Sequence, residues 1–265
     1  MIEPATGYLR LGFEADAGAT HVSDQAMRAP LRCVRAFALA TGECVLQLLH
    51  VGPGVMAGDR LELDVRVGTG ARVVLIAQSA AKLHAMDDAG HAALRVRLRV
   101  AAGASLEYHP GLTIPFARSS YDQRLHVELE RGARFLHVER WSAGRIARGE
   151  RHAYRRISSH IRVAVGGVSV YRDALELEGA RGDAIGLFEG HAYLANGVCV
   201  GAGVADPGAV PGPTMEGVYA FGPGRWAYRA LAHDGVDLAR SVARLANTWR
   251  SLDAHPPIDF GRYGS

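Results

Sequence analysis

The chain has 265 residues, charged side chains make up 22% of it, and the formal net charge is +3. That length buries a core without covalent staples, and so even a balance of charge excludes a nucleic-acid footprint. The three cysteines, Cys33, Cys44 and Cys199, form no CxxC pair, which argues against a disulfide framework and fits a reducing compartment.

The opening residues hold neither a basic leader region nor a long apolar core, and no run of about 18 apolar residues follows. A cytoplasmic location without a membrane span is therefore expected. Tyr8, Leu11 and Phe13 suggest a first strand, and Ala17-Gly18-Ala19 a turn. Leu31 to Leu39 and Val45 to Val51 read as two more strands around Thr41-Gly42. Gly52-Pro53-Gly54 is loop punctuation, and Gly58-Asp59 a turn.

From there to about Val170 one unit recurs. Leu61, Leu63, Val65 and Val67 alternate with Glu62, Asp64 and Arg66, which is the period of a strand with one buried face. Gly68-Thr69-Gly70 turns the chain into the apolar run Val73 to Ala77. The pattern returns at Leu94 to Val100 with Gly103, and at Leu125 to Leu129 with Gly132. A weaker fourth copy runs from Ile161 through Gly166-Gly167 to Val170. Gly70, Gly103 and Gly132 are 33 and 29 residues apart, a period that points to units stacked on one another to share a buried face. If so, the acidic Glu62 and Asp64, the basic Arg95, Arg97 and Arg99, and the acidic Glu128 and Glu130 lie in neighbouring rows that attract.

After Gly179 glycine and proline thicken, with Asp206-Pro207-Gly208 and Pro211-Gly212-Pro213. Strand-like runs resume at His191 to Val204 and at Gly217 to Ala232, the latter folded over Gly222-Pro223-Gly224. The segment from about 179 to 216 thus reads as an irregular loop within a single domain spanning 1–265. Leu238, Val242, Leu245, Trp249 and Leu252 recur at helical spacing, with Asp237 as candidate N-cap. The expected fold is all-β: a β-helix-like stack of hairpin-like units with one C-terminal helix and few others.

Aligning the repeats on their turn glycines places Val73 and Leu75, Leu106 and Tyr108, and Phe135 and His137 in inward columns. Glu139 faces the same way, near Gln78. A buried histidine and carboxylate are costly unless satisfied. Two readings stand: a hydrogen-bonded internal pair, or a pair with Arg145, on one side; a polar passage with a transient metal site at His137 and Glu139 on the other. His84 and His91 flank Asp87-Asp88, which reads as a solvated loop. No HExxH, GxSxG, P-loop or zinc-type spacing occurs, so a binding scaffold is favoured over an enzyme.

The stretch GPGVMAGDRLELDVRVGTGARVVLIAQSAAKLH from Gly52 resembles the signature of the urease accessory proteins of the UreD, or UreH, family. ASLEYHPGLTIPF resembles that family's LEWLPQETIPF, GRIARGE its GRxxxGE loop, and ARLANTWRSL its last helix. The matches span about Gly52 to Leu252 and keep their order. Ile76-Ala77 replaces a threonine pair, and Leu112 stands where the family has glutamate, while Pro110, Thr113, Ile114 and Pro115 are retained. The resemblance implies a nickel-insertion chaperone, not an enzyme, with nickel in transit and no permanently bound cofactor. Implied partners are apo-urease, an all-helical accessory protein of the UreF type and, through it, a GTPase of the UreG type, with no nucleic acid or membrane. It implies a β-helix-like fold with an internal polar tunnel, and by motif position it carries over Gln78, Lys82, Glu139, Arg145 and Glu150 as polar-core or interface residues. Two other readings are a carbohydrate-active enzyme on a stacked β fold and an interaction module without a metal role. The former would need paired carboxylates, but Glu107 and Glu139 fall on opposite strand faces.

Overall fold

Alternating apolar residues make strands with one dry face, and the dry faces of successive repeats must find one another. The computed structural model describes residues 6–201, 212–252 and 255–263. Its strands begin β1 Thr6–Asp16, β2 Ala19–Arg28, β3 Leu31–Cys33, β4 Phe37–Ala38, β5 Cys44–His50, β6 Arg60–Val67 and β7 Arg72–Ala77. They continue with β8 Ala81–Leu83, β9 Ala92–Val100, β10 Ser105–His109, β11 Leu112–Pro115, β12 Ser120–Leu129 and β13 Arg134–Ser142. The last are β14 Gly144–Arg145, β15 Glu150–Arg151, β16 Arg156–Val165, β17 Val168–Glu178, β18 Tyr193–Val200, β19 Met215–Gly222 and β20 Arg225–Ala232. Two helices follow, α1 Gly235–Leu252 and the short α2 Phe260–Tyr263.

Each repeat lays one strand in each of two sheets. The first sheet has the order β17-β16-β12-β9-β6-β1-β2, and the second runs β19-β20-β18-β13-β10-β7-β5-β3. Within them β1, β6, β9, β12 and β16 are parallel, as are β5, β7, β10 and β13. The register Val67↔Val100↔Leu129 before the turns and Arg72↔Ser105↔Arg134 after them sets Gly70, Gly103 and Gly132 one above another. Their φ angles of 73°, 70° and 84° lie in the left-handed region that glycine enters without steric cost. Beside each, Ala71, Ala104 and Ala133 are buried, and rungs such as Ser105 N–H to Ala71 O at 2.9 Å stitch one turn to the next.

The inward columns form as the spacing predicts. Leu63, Val65, Val96, Leu98, Leu125 and Val127 of the first sheet pack in one core with Val73, Leu75, Leu106, Tyr108 and Phe135 of the second. Burying each of these large side chains stabilises the fold by roughly 1.5–3 kcal/mol. The fourth copy departs from the pattern. β16 lies parallel to β12 as a fourth coil would, but β17 pairs antiparallel to β16 in the same sheet. Gly166 and Gly167 both have positive φ, 55° and 82°, the backbone of a tight hairpin. Two consecutive left-handed residues return the chain beside itself instead of across to the second sheet.

On the wet face the rows attract in part. Asp64 sits opposite Arg97 in register, while the guanidinium of Arg99 reaches Asp64 at 2.9 Å and Glu128 at 3.7 Å. Arg66 opposes Arg99, and Arg95 opposes Arg124, so like charges also meet. Glu130 instead accepts a hydrogen bond from the N–H of Ala102 at 2.9 Å. Arg99→Ala is expected to lower stability by less than about 1 kcal/mol in urea denaturation, because both pairs are solvated.

Helix α1 covers the outer face of the second sheet, where Leu238, Val242, Leu245 and Trp249 are buried against β13, β18 and β20. Leu252 ends the stripe exposed. The cap is Asp234 and not Asp237: its carboxylate accepts from the N–H of Val236 at 2.7 Å and of Asp237 at 3.3 Å. Asp237 lies in the first turn, where a negative charge complements the helix dipole. The strand expected from His191 is β18, and the run over Gly222-Pro223-Gly224 is the β19–β20 hairpin. The turn at Asp206-Pro207-Gly208 lies outside the described residues. Among the described residues no helix is long and apolar enough to cross a membrane.

Candidate functional site

The column after Phe135 carries the first polar group of the interior. His137 is fully buried, with its ring stacked on Tyr108 at 5.2 Å between centroids. Its Nδ1 lies 3.0 Å from the carbonyl of Tyr108, so Nδ1 holds the proton and donates. Nε2 then presents a bare lone pair with no partner. Burial pushes the pKa of this imidazole down to about 3, and it stays neutral at every physiological pH.

Two residues on, Glu139 is the hub of a hydrogen-bonded chain that crosses the stack. Gln123 Nε2 of β12 and Ser159 Oγ of β16 each donate to Glu139 Oε2 at 2.8 Å, and Asn196 Nδ2 of β18 donates to Oε1 at 3.3 Å. The same Asn196 amide donates to Asp173 Oδ2 of β17 at 2.8 Å. Asp173 in turn accepts from Arg229 of β20 at 3.4 Å, at the half-exposed end of the chain. At the other end Gln123, Tyr108 and Tyr121 line a cleft of about 160 Å³ whose wall includes Lys82 and His50. Burial raises the pKa of Glu139 to about 7 against the hydrogen bonds from Ser159 and Asn196, which favour the charged form. The arrangement is a line of oxygen and amide groups through an apolar sandwich, with a carboxylate at its middle that takes or yields a proton near neutrality.

The other residues singled out in the sequence do not join this hydrogen-bonded chain, although Lys82 stands in the wall of the cleft. Gln78 does not approach Glu139. It is exposed, one residue past the end of β7, and successive residues of an extended chain point to opposite faces. Lys82 is exposed on β8, which pairs with β11 so that Lys82 stands beside Ile114. Arg145 pairs with Glu150 and not with Glu139: its Nε donates to Glu150 Oε2 at 2.7 Å and its Nη2 to Oε1. The guanidinium also covers the ring of Phe116 at 4.1 Å, and Glu150 Oε2 accepts from the N–H of Ala117 at 3.1 Å. The GRIARGE loop is thereby clamped onto the TIPF segment, and the Arg145 hydrogen bond holds the Glu150 carboxyl below the usual carboxylate range. Gly144 is required here, since a Cβ would lie 1.8 Å from Glu150 O. Arg145→Ala is expected to release this loop, read as faster tryptic cleavage at Arg148 or Arg151 with the melting temperature nearly unchanged.

Glu107 lies on the face opposite Glu139 and binds Arg250 of α1, so the two do not form a carboxylate pair. His84 packs on Phe116 and His91 bonds Arg60, and among the described residues no group of three or more His, Cys, Asp or Glu is placed to hold a metal ion. Gln123, Ser159, Asp173, Asn196 and Arg229 went unread in the sequence. The one signal for them is the interruption of an inward apolar column by a polar residue, as Gln123 interrupts the column of Tyr121 and Leu125.

Comparison with known proteins agrees with these motifs. The family model described as UreD urease accessory protein matches residues 5–260. The chain is 37% identical over 262 residues to a protein of Synechococcus sp. (strain JA-3-3Ab) named urease accessory protein UreD 1, covering 97% of this chain and 96% of the relative. It is 35% identical over 240 residues to urease accessory protein UreD of Deinococcus radiodurans, covering 90% and 84%. A third relative, urease accessory protein UreD of Opitutus terrae, is 31% identical over 239 residues, covering 86% and 88%.

Proposed function

The chain belongs to the UreD family of urease accessory proteins, and from that premise we propose that it is a scaffold that holds apo-urease while nickel is delivered to its active site. A role in urease maturation follows from the family. The finer reading is supported by one observation, the hydrogen-bonded chain Gln123–Glu139–Asn196–Asp173 that joins a cleft on one side of the sandwich to the far edge. Nickel is the cargo here. A route for such an ion needs oxygen and nitrogen groups that replace part of its hydration without holding it. One buried carboxylate, with amides and a neutral imidazole lone pair nearby on the same strand, meets that need, whereas a closed four-ligand site would bind too tightly to release the ion. The cleft would receive nickel from a helical accessory protein that carries a GTPase, and the far edge would face the urease.

Reconstitution tests the reading. Apo-urease, the helical accessory protein, the GTPase, GTP and nickel are combined with and without this chain. Nickel content and ureolytic activity are expected to rise only when the chain is present. Equal activation without it would overturn the proposal. A carbohydrate-active enzyme would need two carboxylates facing one groove, and the engagement of Glu107 by Arg250 gives no support to that alternative.

A further inference from the structure

Arg140 is the buried charge that the polar chain does not use. It follows Glu139 on β13 and so points to the opposite face, under α1. Its exposure is only 9%, yet among the described residues its side chain has no hydrogen bond and no ion pair. A guanidinium carries five donors and cannot shed its charge in a protein, and here no protein acceptor meets them, so they face only the pocket that opens beside the side chain. The acids on this face are already engaged. Glu107 is bound by Arg250 and His109, and Glu43 by Arg250 and His255. Leu112, the residue opposite Arg140 in the β11–β13 register, supplies no charge.

The surroundings leave a hole where the missing anion would go. Arg140 lines a small pocket together with His109, Gly111, Ala239, Ala243 and Phe260. The small side chains of Ala239 and Ala243 leave a gap between α1 and the sheet at this point. The cavity is about 20 Å³ and is open to the outside. Water-sized groups need about 10–15 Å³ each by this measure, so one carboxylate head fits and a whole metabolite does not. Whatever bears that carboxylate stays outside, against α1.

We propose that Arg140 is the receptor for an acidic side chain presented by a protein partner, which inserts its carboxylate between α1 and β13. The planar fork of the guanidinium suits bidentate capture of two oxygens. The partner's carboxylate would neutralise a charge that this chain leaves bare, which makes the seat specific for an acid at that point of the interface. Only the identity of the partner rests on the scaffold reading above.

The test uses the full chain and two variants. Arg140→Met removes the receptor, and Leu112→Glu supplies a carboxylate from within that competes for it. The chain is titrated in turn with purified urease subunits and with the helical accessory protein. Both variants are expected to weaken binding to one of these by roughly thirtyfold or more, the effect of truncating one side of a buried charge pair. Sodium acetate is expected to raise the melting temperature of the unsubstituted chain more than sodium chloride at equal ionic strength, and to do so in neither variant. Leu112→Glu should itself melt no lower than the unsubstituted chain, which separates lost recognition from misfolding. Unchanged affinity for every partner in both variants would overturn the proposal. So would acetate protection with unchanged partner affinity, which would make the ligand a free carboxylate. Loss of partner affinity in a system where nickel transfer never depends on this chain would sink the nickel reading and leave this site standing.

Discussion

Replacing Arg250 with methionine is expected to destabilise the fold by about 3–5 kcal/mol, the loss typical when one member of a buried ionic cluster is removed. Arg250 lies in the last turn of α1 with its side chain 1% exposed. It donates to both oxygens of Glu43, at 3.0 and 2.9 Å, to Glu107, and through Nε to the carbonyl of Pro256 at 2.8 Å. His255 Nδ1 lies 3.3 Å from Glu43, and Thr41 donates to the same carboxylate at 3.0 Å. Burial pushes the Glu43 carboxyl up, but the His255 hydrogen bond and the Arg250 charge overcome it and hold the group down to about 2. A depressed carboxylate stabilises the fold above its unfolded pKa, and that contribution is lost as pH falls from about 4.5 towards 2. Methionine would leave the buried Glu43 and the partly buried Glu107 without the guanidinium that joins them and detach the end of α1 from the sheet. Urea denaturation at pH 7 measures the loss. The triple change Arg250→Met, Glu43→Gln, Glu107→Gln should recover most of it, since the cost lies in the unpaired charges. A loss below about 1 kcal/mol in the single variant would mean that the cluster is solvated in solution.

The second large effect is expected at Glu139, in both stability and activation. Its folded pKa of about 7 stands above its ordinary value of 4.5. A raised acid binds its proton more tightly in the folded chain, so the stabilisation is complete below pH 4.5 and declines as pH rises towards 7. The difference of about 2.5 units corresponds to about 3 kcal/mol. Subtracting the pH profile of Glu139→Gln from that of the unsubstituted chain should expose a fall of that order between pH 5 and 8. A flat difference would place the group in water. Glutamine is the cleaner probe, because leucine would also orphan the donors of Gln123, Ser159 and Asn196 at about 1–3 kcal/mol each. For activation, Glu139→Gln is expected to reduce nickel-dependent urease activity at least tenfold while the complex with urease and the accessory proteins still forms. Full activation by this variant would remove Glu139 from the route, and loss of the complex would make its role structural.

The strands, their dry faces and the turns of the repeat are legible in the sequence because they depend on local rules. A period of two sets each face, and a glycine with positive φ sets each turn. The stacking of Gly70, Gly103 and Gly132 and the columns that end in His137 and Glu139 follow from those rules alone. The motifs likewise carried the family, since they keep their order through most of the chain. The partners of the polar groups depend instead on which coil lies above which, and by how much each connection is offset. That is why Glu139 meets Gln123 across its own coil and Ser159 from the next one, and why Arg145 closes on Glu150 a few residues away. The fourth repeat shows the limit of the local rule, because Gly166-Gly167 changed a crossover into a hairpin and opened the stack to β17. Arg250 lies 143 and 207 residues from Glu107 and Glu43, and no local pattern spans such a distance. Only the docking of α1 on the second sheet brought those charges together, and the same docking left Arg140 buried without one.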